Sequence, residues 1–96
     1  MNSLHDCSLT NIRFDWTAAL AEFQMVGLEG ASLLIAAGVE DLQLSRALPW
    51  GPSEWINRAE GPVDVGDGIQ ALRIEMQSGD VITVMARSFK GPDSLS

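Results

Sequence analysis

The chain has 96 residues, 46% of them hydrophobic and 20% charged, and its 13 acids against 6 bases give a net charge of −7. That length allows one domain, and the apolar content offsets the entropy of ordering, which excludes a disordered chain. So acidic a surface is a poor grip for phosphates, and the longest uncharged apolar-leaning run, Gly30–Val39, is about half of the roughly 20 residues of a membrane-spanning helix, so neither nucleic acid nor membrane is an expected partner.

The opening segment, MNSLHDCSLTNIRFDW, has no positive leader and no apolar stretch of signal-peptide length. Leu4–Cys7 has a faint likeness to a lipoprotein acceptor site, without the apolar segment such a site follows. Cys7 is the single cysteine, so an internal disulfide cannot form and a cytoplasmic location is expected.

Glycine and proline divide the rest of the chain into pieces of strand length, with breaks expected near Gly27–Gly30, at Gly38, at Pro49–Pro52, at Gly61–Gly68 and at Ser78–Gly79. Ile12, Phe14 and Trp16 alternate with Asn11, Arg13 and Asp15, which puts the three apolar residues on one face of a first strand. Ala18–Val26 reads as a strand with Ala21, Phe23 and Met25 inward, although its alanine, leucine and methionine also suit a short helix. Residues 31–48 read as strands broken at Gly38, with Leu42 and Leu44 opposite Asp41, Gln43 and Ser45; one longer helix is the competing reading.

The hairpin Ile69–Phe89 is the sharpest local expectation. Its loop, Gln77–Ser78–Gly79, with Gly79 in the left-handed region, sets Ile74 opposite Ile82, Leu72 opposite Val84 and Arg73 opposite Thr83. Residues 91–96 are polar and are expected to fray. The fold expected for residues 1–90 is a single compact all-β domain of about seven antiparallel strands, a small sandwich or half-open barrel.

Chemistry-bearing residues are sparse. His5, Asp6 and Cys7 are consecutive, and alternation would let His5 and Cys7 share a side, but with no second histidine or cysteine in the chain they read as a polar chain start with Cys7 a small hydrophobe. GPVDVGDG lacks the alternating oxygen ligands and closing glutamate of a calcium loop, and reads as a strand connection. Glu40-Asp41 reads as a solvated strand end. No catalytic residues, metal or cofactor are expected.

One stretch is unusual. LPWGPSEWINR, Leu48–Arg58, gathers two of the three tryptophans with two prolines. The prolines hold Trp50 at a rigid corner, and alternation with an inward Ile56 would present Trp55 outward. Trp50, Ser53 and Trp55, rimmed by Glu54 and Arg58, are therefore the candidate binding face, since tryptophan is enriched at interface hot spots. The architectural alternative has Trp50 plugging the end of the core and Trp55 covering its flank.

HDCSLTNIRFDW, PWGPSEWIN and LRIEMQSGDVITVMARSF together resemble segments of short bacterial conserved-hypothetical proteins, with an HD-led first strand ending in tryptophan, a WGPS corner and an EMQSGD hairpin. The likeness spans most of the chain. It implies a bacterial, compact, mostly β domain, with WGPS a shared structural corner, and it implies no catalytic residues. The function expected is a non-catalytic binding domain with a protein partner. An immunity-type protein neutralising a basic toxin is the alternative, with a small enzyme behind both.

Overall fold

A computed structural model describes residues 7–27, 30–47 and 55–91, and these form six antiparallel strands with no helix among them. They are β1 (Ser8–Asp15), β2 (Leu20–Gly27), β3 (Gly30–Leu44), β4 (Ile56–Gly66), β5 (Ile69–Met76) and β6 (Val81–Lys90), joined in one sheet of order β1-β2-β3-β6-β5-β4. The all-β antiparallel class expected from the sequence is the class observed. The Trp50 corner, His5, Asp6 and residues 92–96 lie outside the described residues.

Six strands replace about seven because Gly38 bends the chain without breaking it. Its φ of 66° and a bulge between Val39 and Asp41 kink a single 15-residue strand. β3 consequently serves two neighbours: residues 30–37 pair with β2, and residues 35–44 pair with β6. The expected break at Gly61–Gly68 is likewise narrower. β4 runs through Gly61-Pro62 in a bulge and stops only at the Asp67–Gly68 turn. Pro62 is tolerated there because β4 is an edge strand, where a missing N–H costs the ladder little.

The β5–β6 hairpin has the expected register, with Ile74 opposite Ile82, Leu72 opposite Val84 and Arg73 opposite Thr83. Met76 and Asp80 close the loop through a backbone bond of 2.8 Å, and Gly79 takes φ 97° within it. β2 is a strand, with Ala21, Phe23 and Met25 all buried, which settles the helix alternative for that segment.

Alternation puts every large buried side chain on one face of the sheet: Phe23 and Met25 from β2, Leu34 from β3, Val84 from β6, Leu72 and Ile74 from β5, and Ile56 from β4. No helix covers that face among the described residues, so the sheet curls around it. Its shortest dimension is 23 Å, well beyond the thickness of about 10 Å expected of one flat layer. At one end the curl closes. Ser8 and Trp55 form an antiparallel bridge, and the Ile56 amide donates to the Cys7 carbonyl at 2.9 Å, tying the two edge strands together. The result is a half-open barrel. Phe23, which faces Ile12 and Leu34 across its two neighbours, stands at the centre of the interior. Replacing Phe23 with alanine should lower stability in urea denaturation by about 3–5 kcal/mol; a loss below about 1 kcal/mol would contradict this packing.

Candidate binding cleft

Half-closure leaves part of the apolar face uncovered. Phe14 stands opposite Ala21, and Leu44 opposite Ile82, so both belong to the interior face by register. Yet Phe14 is 39% exposed and Leu44 is 53% exposed. The cause is strand offset. β2 begins at Leu20, opposite Ala37, and beyond Gly38 no described strand pairs with that edge of β3. The outer edge of β1 is similarly unpaired among the described residues, apart from the bridge at Ser8.

Two hollows lie along these edges. One, of about 590 Å³, lies between residues 9–12 of β1 and residues 44–46 that end β3, with Met76, Ile82 and Asp80 beneath. The other, of about 460 Å³, lies between Phe14 and Trp16 on one wall and residues 39–42 of β3 on the other. The walls are mainly apolar, as ligand clefts generally are, with a few polar groups set among them.

Trp16 corrects an expectation. The alternating pattern places it inward with Ile12 and Phe14, but β1 stops at Asp15 and Trp16 is 85% exposed. The Asp15 carboxylate accepts the Ala18 amide at 3.1 Å, and the Ala19 amide donates to the Trp16 carbonyl at 3.2 Å, so the chain turns one residue before the strand pattern ends. An aspartate three residues before a small residue was the available signal for that turn. The indole meets Phe14 edge to face, with ring centroids 6.0 Å apart and planes at 81°.

Asp80 was not singled out by the sequence, and it organises the other end. It is buried, and its carboxylate accepts the Ser45 hydroxyl at 3.0 Å, the Ala47 amide at 3.0 Å and the Ser78 hydroxyl at 2.8 Å. Burying a carboxylate is costly unless donors replace its water, and these three fasten the end of β3 to the β5–β6 loop. Asp80 thus holds the floor of the larger section by structure. In the smaller section, Glu40 receives Arg87 at 3.0 Å, and among the described residues the Asp41 carboxylate accepts the Gln43 side-chain amide alone, at 2.9 Å.

Of the binding face expected from sequence, Trp50, Ser53 and Glu54 lie outside the described residues. Trp55 is 39% exposed, while Ile56 beside it is buried; its carbonyl accepts the Gln77 amide at 2.8 Å. Arg58 sits on the outer face of β4 and belongs to a ladder of alternating charge. It meets Glu60 at 3.0 Å and Glu75 at 3.9 Å, and Arg73 meets Glu60 at 3.1 Å. Among the described residues no three of His, Cys, Asp and Glu converge as a metal site, and no helix is long and apolar enough to cross a membrane.

The Arg58 hydrogen bond and charge, with a smaller contribution from Arg73, hold the Glu60 carboxyl below its ordinary value. A depressed carboxyl favours the folded chain above the ordinary carboxylate range, and that contribution fades as pH falls through the lowered midpoint. Arg58→Ala should move the Glu60 midpoint upward in an NMR titration of its side-chain carboxyl. An unchanged midpoint would show that the ladder does not form in solution.

No protein-family model, curated protein or solved structure matches this chain.

Proposed function

We propose that the protein is a small non-catalytic interaction domain of the bacterial cytoplasm that seats a protein partner in the cleft between β1 and β3. The observation that carries this reading is the exposure of Phe14 and Leu44, two residues of the interior face left open to water by the strand offset. Exposed large apolar side chains of this kind mark interaction sites when a complex covers them. Two of the three carboxylates along the cleft are taken up within the fold, Asp80 by structural donors and Glu40 by Arg87.

Trp55 belongs to the same surface in this reading. It bridges to Ser8, where β1 begins, so a partner lying along the edge of β1 passes beside the half-exposed Trp55. The Trp50, Ser53 and Glu54 corner adjoins it in sequence, with Arg58 on the far side of β4. A second reading, an immunity-type protein that neutralises a basic toxin, is favoured by the net charge of −7, which steers a cationic partner and speeds its association at low salt.

Capture from the native cell, followed by calorimetry with the purified partner, tests both. Leu44→Glu should weaken binding at least about tenfold, and Val63→Ser, on the exposed part of β4, should leave it unchanged. A partner held equally well by Leu44→Glu would contradict the cleft. A recovered partner that is basic, and whose activity the protein blocks, would select the toxin reading.

A further inference from the structure

We propose that the smaller section of the cleft, walled by Trp16, Phe14 and Asp41, receives an arginine or lysine side chain of the partner protein. The inference rests on the binding function proposed above and names the chemistry of the group that is bound.

Three observations converge on a cation. The first is the aromatic pair. An indole 85% exposed, edge to face with a second ring at 6.0 Å, offers a π-face to solvent at the lip of a hollow of about 460 Å³. A cation over such a face is attracted by the ring quadrupole, most strongly for tryptophan.

The second is Asp41, which lines the same hollow and whose partner among the described residues is the neutral Gln43 amide alone. All six lysine and arginine residues of the chain are described, and none forms an ion pair with Asp41. An apolar occupant would strip water from this carboxylate with no return, and an anion would be repelled; a cation replaces the lost water with a charge-assisted hydrogen bond.

The third lies one residue away. Arg87 crosses Gly38 and sets its guanidinium on Glu40 at 3.0 Å, so the bulge at residues 39–41 already seats one guanidinium of the protein's own. Glu40 and Asp41, at the bulge between Val39 and Asp41, are both among the residues that line the hollow. Apolar Val39 and Leu42 complete the wall and suit the methylene stem of a long basic side chain. A net charge of −7 makes a basic partner the electrostatic complement of the whole surface.

The test uses the full chain and two probes of nearly equal shape, N-acetyl-arginine amide and N-acetyl-citrulline amide, followed by two-dimensional NMR at low salt. The arginine compound should shift the Trp16 indole N–H and the Asp41 and Leu42 amides saturably, while the Trp55 indole stays still and citrulline produces no saturable change. Asp41→Asn should raise the half-saturation concentration about fivefold, and added salt should raise it further. Trp16→Ala should abolish saturation; because Trp16 is exposed, its fold is checked by unchanged resonances of the β5–β6 hairpin. Equal responses to arginine and citrulline, or no response at Trp16, would overturn the inference. Neither result touches the binding function, which stands or falls on capture with Leu44→Glu.

Discussion

A one-layer sheet with an apolar face must cover that face, and with no helix among the described residues this sheet covers it by curling. The hydrophobic driving force is generic; what makes the curl specific is the joint between the two edge strands. The Ser8–Trp55 bridge and the bond from the Ile56 amide to the Cys7 carbonyl bring β1 to β4, although four strands separate them in the sheet. Ile56 enters the interior from that joint, and Cys7 is buried at the same point. Both sheet edges lose free hydrogen-bonding groups there, which also limits edge-to-edge association.

Among the described residues the curl closes at one end, and β3 is the reason it stays open at the other. Its 15 residues exceed the eight of β2, and the kink at Gly38 swings its second half from β2 toward β6. A strand that changes partners midway leaves a gap on the side it abandons. That gap exposes interior-face residues such as Leu44, and residues 39–42 around the bulge line it. One backbone irregularity therefore shapes the wall of the smaller hollow. The charge ladder of Arg58, Glu60, Arg73 and Glu75 lies on the outer face instead, where exposed pairs add little to stability.

How much of this was legible in the sequence depended on whether the signal was local. The β5–β6 register could be read in full, because a three-residue loop ending in Gly79 and the facing apolar pairs agree on a single alignment. β2 could be read because Ala21, Phe23 and Met25 alternate over a buried face. Gly38 misled, since the same residue serves a break and a bend and only the partners on either side decide between them. Trp16 misled because it continued the alternation past the strand's last residue, where a side-chain bond from Asp15 had already turned the chain. The cleft was not legible at all: it arises from the offset between β2 and β6 along β3, a non-local quantity that no window of sequence contains. Trp55 was legible in direction, with Ile56 inward beside it, while its backbone role at the joint with Ser8 depended on a contact 47 residues away.

The edge-to-edge joint is the feature on which both barrel and cleft depend, and amide hydrogen exchange reads it directly. The Ile56 N–H, held by the Cys7 carbonyl, should exchange as slowly as the Met76 N–H inside the β5–β6 hairpin. If Ile56 exchanged at the rate of an unfolded chain while Met76 remained protected, the sheet would be open, and the half-open barrel with its cleft would be contradicted.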